Sequence, residues 1–189
     1  MKKGEGLPTP APRTPIHTRR IRCDGYERED GLFDIEACLI DTKSVRFNNM
    51  DRGEVDPGES IHEMWLRLTV DTDMNIIDVE ARTIWGPYSI CGDITPNFKR
   101  LIGLAIGAGW TRKTRELLGG TQGCTHLVEL LGPVATTAFQ TIQPLRASRE
   151  AKLGRKEKPR LIGTCHAYAP DSHVVAHRHP EHYTGSNPK

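Results

Sequence analysis

His62-Glu63-Met64-Trp65-Leu66-Arg67-Leu68-Thr69-Val70 alternates without a break, with His62, Met64, Leu66, Leu68 and Val70 on one side and Glu63, Trp65, Arg67 and Thr69 on the other. A period of two is the pleat of a β-strand with one buried face, so His62 starts an inward face. Turn formers follow in Asp71-Thr72-Asp73-Met74-Asn75, after which Ile77, Val79, Ala81 and Thr83 alternate again. The two runs read as an antiparallel hairpin whose loop is longer than the tightest types. Upstream, between Asp30 and Thr42, Phe33, Ile35, Ala37 and Leu39 alternate with Asp34, Glu36 and Cys38, which adds another strand with one buried face.

Beyond Pro87 the period changes. Phe98, Leu101, Ile102 and Ala105 recur at helical spacing from Pro96 to Gly107, with Thr95 placed as an N-cap and Pro96 suited to the first turn. A second short helix is expected over Thr111 to Leu118, ended by Gly119-Gly120. Leu127, Leu130, Leu131, Val134 and Ala138 then form an apolar stripe running towards Ile142, interrupted at Gly132-Pro133, where a bend or break is expected. Strands first and helices after predict an α+β fold, an antiparallel sheet with helices packed on one face.

The 189 residues suffice for one folded core, read here as residues 16–142. Pro8, Pro10, Pro12 and Pro15 mark residues 1–15 as a disordered tail, residues 143–160 form a basic linker or exposed helix, and residues 161–189 form a His-rich C-terminal segment. No apolar run is long enough to span a bilayer and the first residues lead into prolines, so the expectation is a cytoplasmic protein without a membrane partner. A net charge of +2 does not call for a nucleic-acid partner. Five scattered cysteines read as thiols rather than as a disulfide framework.

The chemistry-bearing stretch is Gly119-Gly120-Thr121-Gln122-Gly123-Cys124-Thr125-His126. Its glycines allow a tight approach just before a helix, where free N–H groups favour a thiolate. Cys124 and His126 converge on one ion only from that turn, and a buried Cys with a capping His is the plain alternative. Cys91 lies in the loop between the hairpin and the first helix. His62, facing inward, needs a partner for its ring nitrogens. Together His62, Cys91, Cys124 and His126 make an N2S2 set for zinc or iron, with Tyr88 beside it as a candidate acid. Cys165-His166 and His173, His177, His179 and His182 are read as a surface tract, and Arg28, Asp30, Asp34 and Asp41 as charges as readily explained by surface pairs.

The runs Arg28 to Glu36, Asp41-Thr42-Lys43, Pro57 to His62, Pro87 to Cys91 and Gly119-Gly120 with Gly123 to Leu127 are similar to a bacterial family catalogued as domain of unknown function 2889, over about residues 18–142. That resemblance implies an association with the degradation of plant-derived aromatic compounds. A more distant likeness is to iron-sulfur scaffold proteins of the IscU and NifU type. It implies that Cys91, Cys124 and His126 stand among the ligands, with His62 where that group has a cysteine. The expected function is a small metalloenzyme of lyase or hydrolase type, in which zinc or iron acts on a small and aromatic substrate. The alternatives are a metal or iron-sulfur carrier and a metal-free binding domain.

Overall fold

The computed structural model describes residues 7–152, 154, 159 and 161–186. Two compact units result, residues 1–145 and 146–189. In the first, the strands β1 (His17–Glu27), β2 (Phe33–Lys43), β5 (Ser60–Val70) and β6 (Ile76–Trp85) pair antiparallel in the order β1-β2-β5-β6. The short strands β3 (Phe47–Asn49) and β4 (Gly53–Val55) form a separate hairpin. The helices α1 (Trp110–Leu118) and α2 (Thr125–Lys152) follow. The fold is α+β, with the sheet in the first half and the helices in the second.

The alternating residues are the ones that pack. Phe33, Ile35, Ala37 and Leu39 of β2 and Met64, Leu66, Leu68 and Val70 of β5 are all buried, in one cluster with Leu127, Leu130, Leu131, Val134, Ala138 and Ile142 of α2. Ladder geometry aligns the two inward faces, since Leu39 pairs Met64, Ala37 pairs Leu66 and Ile35 pairs Leu68. Ile77 departs from its expected place and is exposed. The β5–β6 register slips between Thr69 and Val70, so Val70 pairs Ile76, and Ile76 takes the buried position.

Two expected helices come out differently. In place of one from Pro96 to Gly107 there is a 3-10 helix over Thr95–Leu101. The next residues spend their backbone groups on the start of β6: Gly103 N–H donates to Ile76 O, Ile76 N–H to Leu104 O and Ile106 N–H to Met74 O. Pro133, expected to bend or break the last helix, lies inside α2, which runs from Thr125 to Lys152. A proline there costs about 3 kcal/mol, less than the burial of the apolar stripe on both sides of it returns. The Trp110 indole N–H also donates to the Leu131 carbonyl at 3.0 Å, two residues before the proline.

Residues 7–15 carry no helix or strand, while the rest of the expected tail lies outside the described residues. The expected linker begins as helix, because α2 continues to Lys152, and most of residues 153–160 lie outside the described residues. In the second unit α3 (His173–Arg178) is capped by Ser172, whose hydroxyl accepts from Val175 N–H. Residues 187–189 also lie outside the described residues. Among those described, no helix is long and apolar enough to cross a membrane.

β1 lies close against α2 at Gly25, where a Cβ would overlap the Thr141 hydroxyl. Gly25→Ala should therefore destabilise the protein by roughly 1–3 kcal/mol in urea unfolding. Adding Thr141→Ala should recover part of that loss, and simple additivity of the two changes would contradict this packing.

Candidate metal centre

The inward face of β2 continues one step past Leu39 to Asp41, and that of β5 extends one step before Met64 to His62. The ladder places these two residues opposite each other. Just beyond them the register slips, with Thr42 pairing Ser60 and Ile61 left as the extra residue, so a bulge marks this end of the sheet. On the other side of β2, β1 sets Arg19 opposite Asp41. Since α2 starts at Thr125, His126 falls in its first turn, and Glu129 follows on the same face one turn later.

Asp41 is 0% exposed. A buried carboxylate persists only with partners, and here the partners are charged or polar on every side. Arg19 grips it with both prongs, Nε donating to Oδ1 at 2.8 Å and Nη2 to Oδ2 at 2.7 Å. Its remaining prong, Nη1, donates to Glu129 and ties β1 to α2. His17 Nε2 lies 3.2 Å from Oδ1, His62 Nδ1 3.0 Å from Oδ2 and His126 Nε2 3.9 Å from Oδ2. The His62 and His126 rings stack at 3.7 Å between centroids.

Burial alone would raise the Asp41 carboxyl, but the hydrogen bond and charge of Arg19, with His62 and His17, outweigh it and hold the group below the ordinary carboxylate range. Burial lowers both imidazoles, joined at His62 by the neighbouring His126 and at His126 by Arg19, against the opposing pull of Asp41. The cluster is thus a carboxylate beside two imidazoles that stay neutral at ordinary pH, which is the state in which a ring nitrogen has a lone pair to give.

Asp41, His62 and His126 each offer one donor atom, and these lie within 4.8 Å of one another. Ligands about 2.1 Å from an ion stand about 3.0 Å apart at a right angle and about 3.4 Å apart at the tetrahedral angle, and the 3.0 and 3.9 Å separations from Asp41 bracket that range. Two imidazoles and one carboxylate are a donor set compatible with one metal ion.

Of the residues expected here, the structure brings His62 and His126 together. Cys124 Sγ lies 3.9 Å from His126 Nδ1, the ring nitrogen other than the one facing Asp41. Cys91 sits in a 3-10 turn, Ser89–Gly92, after β6, against Gly86 and near Thr83. Among the described residues neither Cys91 nor Cys124 belongs to a three-donor group; the group that does form is Asp41, His62 and His126, which shares His62 and His126 with the expected set. Tyr88 is half exposed and makes no hydrogen bond to this cluster. Cys165, His166 and the late histidines likewise form no three-donor group among the described residues.

Asp41, read from the sequence as one of several surface charges, is instead the centre of the cluster. Its signal was the β2 alternation carried one step further. Arg28, by contrast, does form outward pairs, with Asp30 at 2.6 Å and Asp34 at 3.5 Å.

An antiparallel sheet covered by a long helix, with a buried carboxylate and two imidazoles at one end, is the class of domain these features define. The model of the family described as "Protein of unknown function (DUF2889)" matches residues 17–140, and the chain belongs to that family. The matched span includes Arg19, Asp41, His62, Cys124 and His126. No curated protein and no solved structure matches the chain, so the likeness to iron-sulfur scaffolds finds no support there. Cluster assembly also depends on thiolates, and the donor group formed here has none.

Arg19→Met should cost about 1–3 kcal/mol of stability near neutral pH, because it strips the main partner from a buried carboxylate. Asp41 titrates below its unfolded value, so its charge-dependent stability is present above about pH 4 and is lost as pH falls through the lowered native value. The difference between wild type and Arg19→Met, followed by urea unfolding, should shrink over that acid range. A difference that stays constant with pH would contradict the pairing.

Proposed function

We propose that this protein is a small metalloenzyme holding one divalent ion, zinc or iron, on Asp41, His62 and His126, and acting as a lyase or hydrolase on a small substrate with a carbonyl or phenolic oxygen. The donor set is the observation that supports this reading: one carboxylate and two neutral imidazoles converge at a sheet end that solvent reaches. Side-chain exposures of 42% at His17, 32% at Arg19 and 23% at His126 leave an approach for a small molecule. The aromatic character of the substrate rests on the family resemblance alone.

Bound there, the ion supplies Lewis acidity at ordinary pH. The residues of the chain do the rest. Asp41 contributes a negative charge that offsets the cation, and Arg19 fixes the plane of its carboxylate. His62 and His126, stacked on each other, present nitrogens from one side and restrict each other's rotation. His17, beside Oδ1 and partly exposed, is placed to hold or pass a proton at the mouth of the site.

Protein purified without a histidine tag should contain close to one zinc or iron per chain by elemental analysis. Asp41→Asn, His62→Ala and His126→Ala should each weaken Co(II) binding by at least about tenfold, since each removes a ligand or its charge. Cys91→Ser should bind as wild type does. Retained Co(II) affinity in the three ligand variants would leave Asp41 and the histidines as a charge network in a metal-free binding domain. A brown chromophore with labile sulfide would instead favour the carrier. The enzyme reading further requires that Asp41→Asn stay folded by circular dichroism while losing turnover.

A further inference from the structure

His126 faces two different chemistries. Its Nε2 is turned to the Asp41 carboxylate at 3.9 Å, while its Nδ1 lies 3.9 Å from Cys124 Sγ. Cys124 in turn directs its thiol to Met64 Sδ at 3.6 Å. A thioether, a thiol and an imidazole nitrogen thus follow one another on the side of the ring away from Asp41. Thr83, opposite Met64 in the β5–β6 ladder, adds a buried hydroxyl with no hydrogen-bond partner among the described residues.

We propose that Met64, Cys124 and His126 Nδ1 form a second metal site, one that takes a soft monovalent ion, Cu(I). Donors held 2.0–2.3 Å from one ion in a trigonal plane stand about 3.5–4.0 Å apart, and the two separations on either side of Cys124, 3.6 Å to Met64 Sδ and 3.9 Å to His126 Nδ1, both fall in that range. Thiolate and thioether together select Cu(I) over harder ions. Charge favours the same ion. Met64 is 0% exposed and Cys124 packs against the core, so an ion here must enter with little net charge. On ligation the Cys124 thiol releases its proton to solvent, and the resulting thiolate cancels the single charge of Cu(I), which remains monovalent throughout. A divalent ion would leave one charge uncompensated.

A neutral imidazole has one lone pair, so His126 serves one side at a time. Cu(I) on Nδ1 leaves the proton on Nε2, facing Asp41, and withdraws His126 from the divalent set. Competition between the two ions rests on the divalent reading above, whereas the soft site itself does not.

The test uses the full, reduced chain in competition with bicinchoninate for Cu(I), with folding checked by circular dichroism. Cys124→Ser and Met64→Leu should each weaken the tightest Cu(I) by at least about tenfold, and Cys165→Ser, at an exposed thiol, should leave it unchanged. Copper K-edge absorption of the wild type, which needs no variant to fold, should show two sulfur neighbours and one nitrogen. Unchanged Cu(I) affinity in both variants, or an absorption spectrum without paired sulfur, would place the ion on other thiols and overturn the proposal. Co(II) titration separates the two readings. If Asp41→Asn abolishes Co(II) binding while Cys124→Ser does not alter Cu(I) binding, the soft site fails and the divalent site stands. The reverse pattern supports the soft site and removes the other.

Discussion

A carboxylate sealed from solvent at the end of an apolar sheet face is the constraint around which this domain is arranged. Asp41 occupies a position that packing alone would give to another Leu or Val, and its negative charge has to be met where it stands. The bidentate grip of Arg19 meets it across the β1–β2 ladder, and the remaining prong of the same guanidinium reaches Glu129 on α2. One residue therefore fixes the register of an edge strand, the orientation of a buried acid and the seat of the longest helix. His17 and His62 complete the shell, so the acid keeps its charge despite its burial.

The position of α2 follows from the same geometry. Its stripe from Leu127 to Ile142 lies on the β2 and β5 faces, which sets the helix start at the sheet end where Asp41 and His62 stand. His126, one residue ahead of the first buried leucine, is then carried into stacking contact with His62. Pro133 can be accommodated because the stripe is buried on both sides of it. What the helix gains by covering the sheet exceeds the loss of one backbone hydrogen bond.

The first turn of α2 is chemically divided. Towards Asp41 the surroundings are hard and charged, and towards Met64 they are soft and apolar, with the His126 ring as the partition. Such a partition gives the two ring nitrogens different tasks, and the proton on the ring decides which one is available. Both proposed ions depend on that single imidazole.

Periodicity by itself determined the strands β2 and β5, the hairpin to β6, the apolar stripe of α2 and hence the α+β class, because one buried face imposes a spacing that a linear pattern records directly. It also marked His62 as a residue needing a partner, while the glycine-rich turn ahead of α2 singled out His126. Only the tertiary structure decided who those partners are. Cys91 resembled a ligand in its loop, but it stands in a turn after β6 against Gly86 and joins no three-donor group among the described residues. Asp41 resembled a surface charge at a strand end, although the β2 alternation carried one step further already pointed it inward. That step was not legible as chemistry, since whether an inward Asp is tolerated depends on Arg19, His17 and Glu129, residues brought to it by ladder register and helix docking rather than by spacing along the chain.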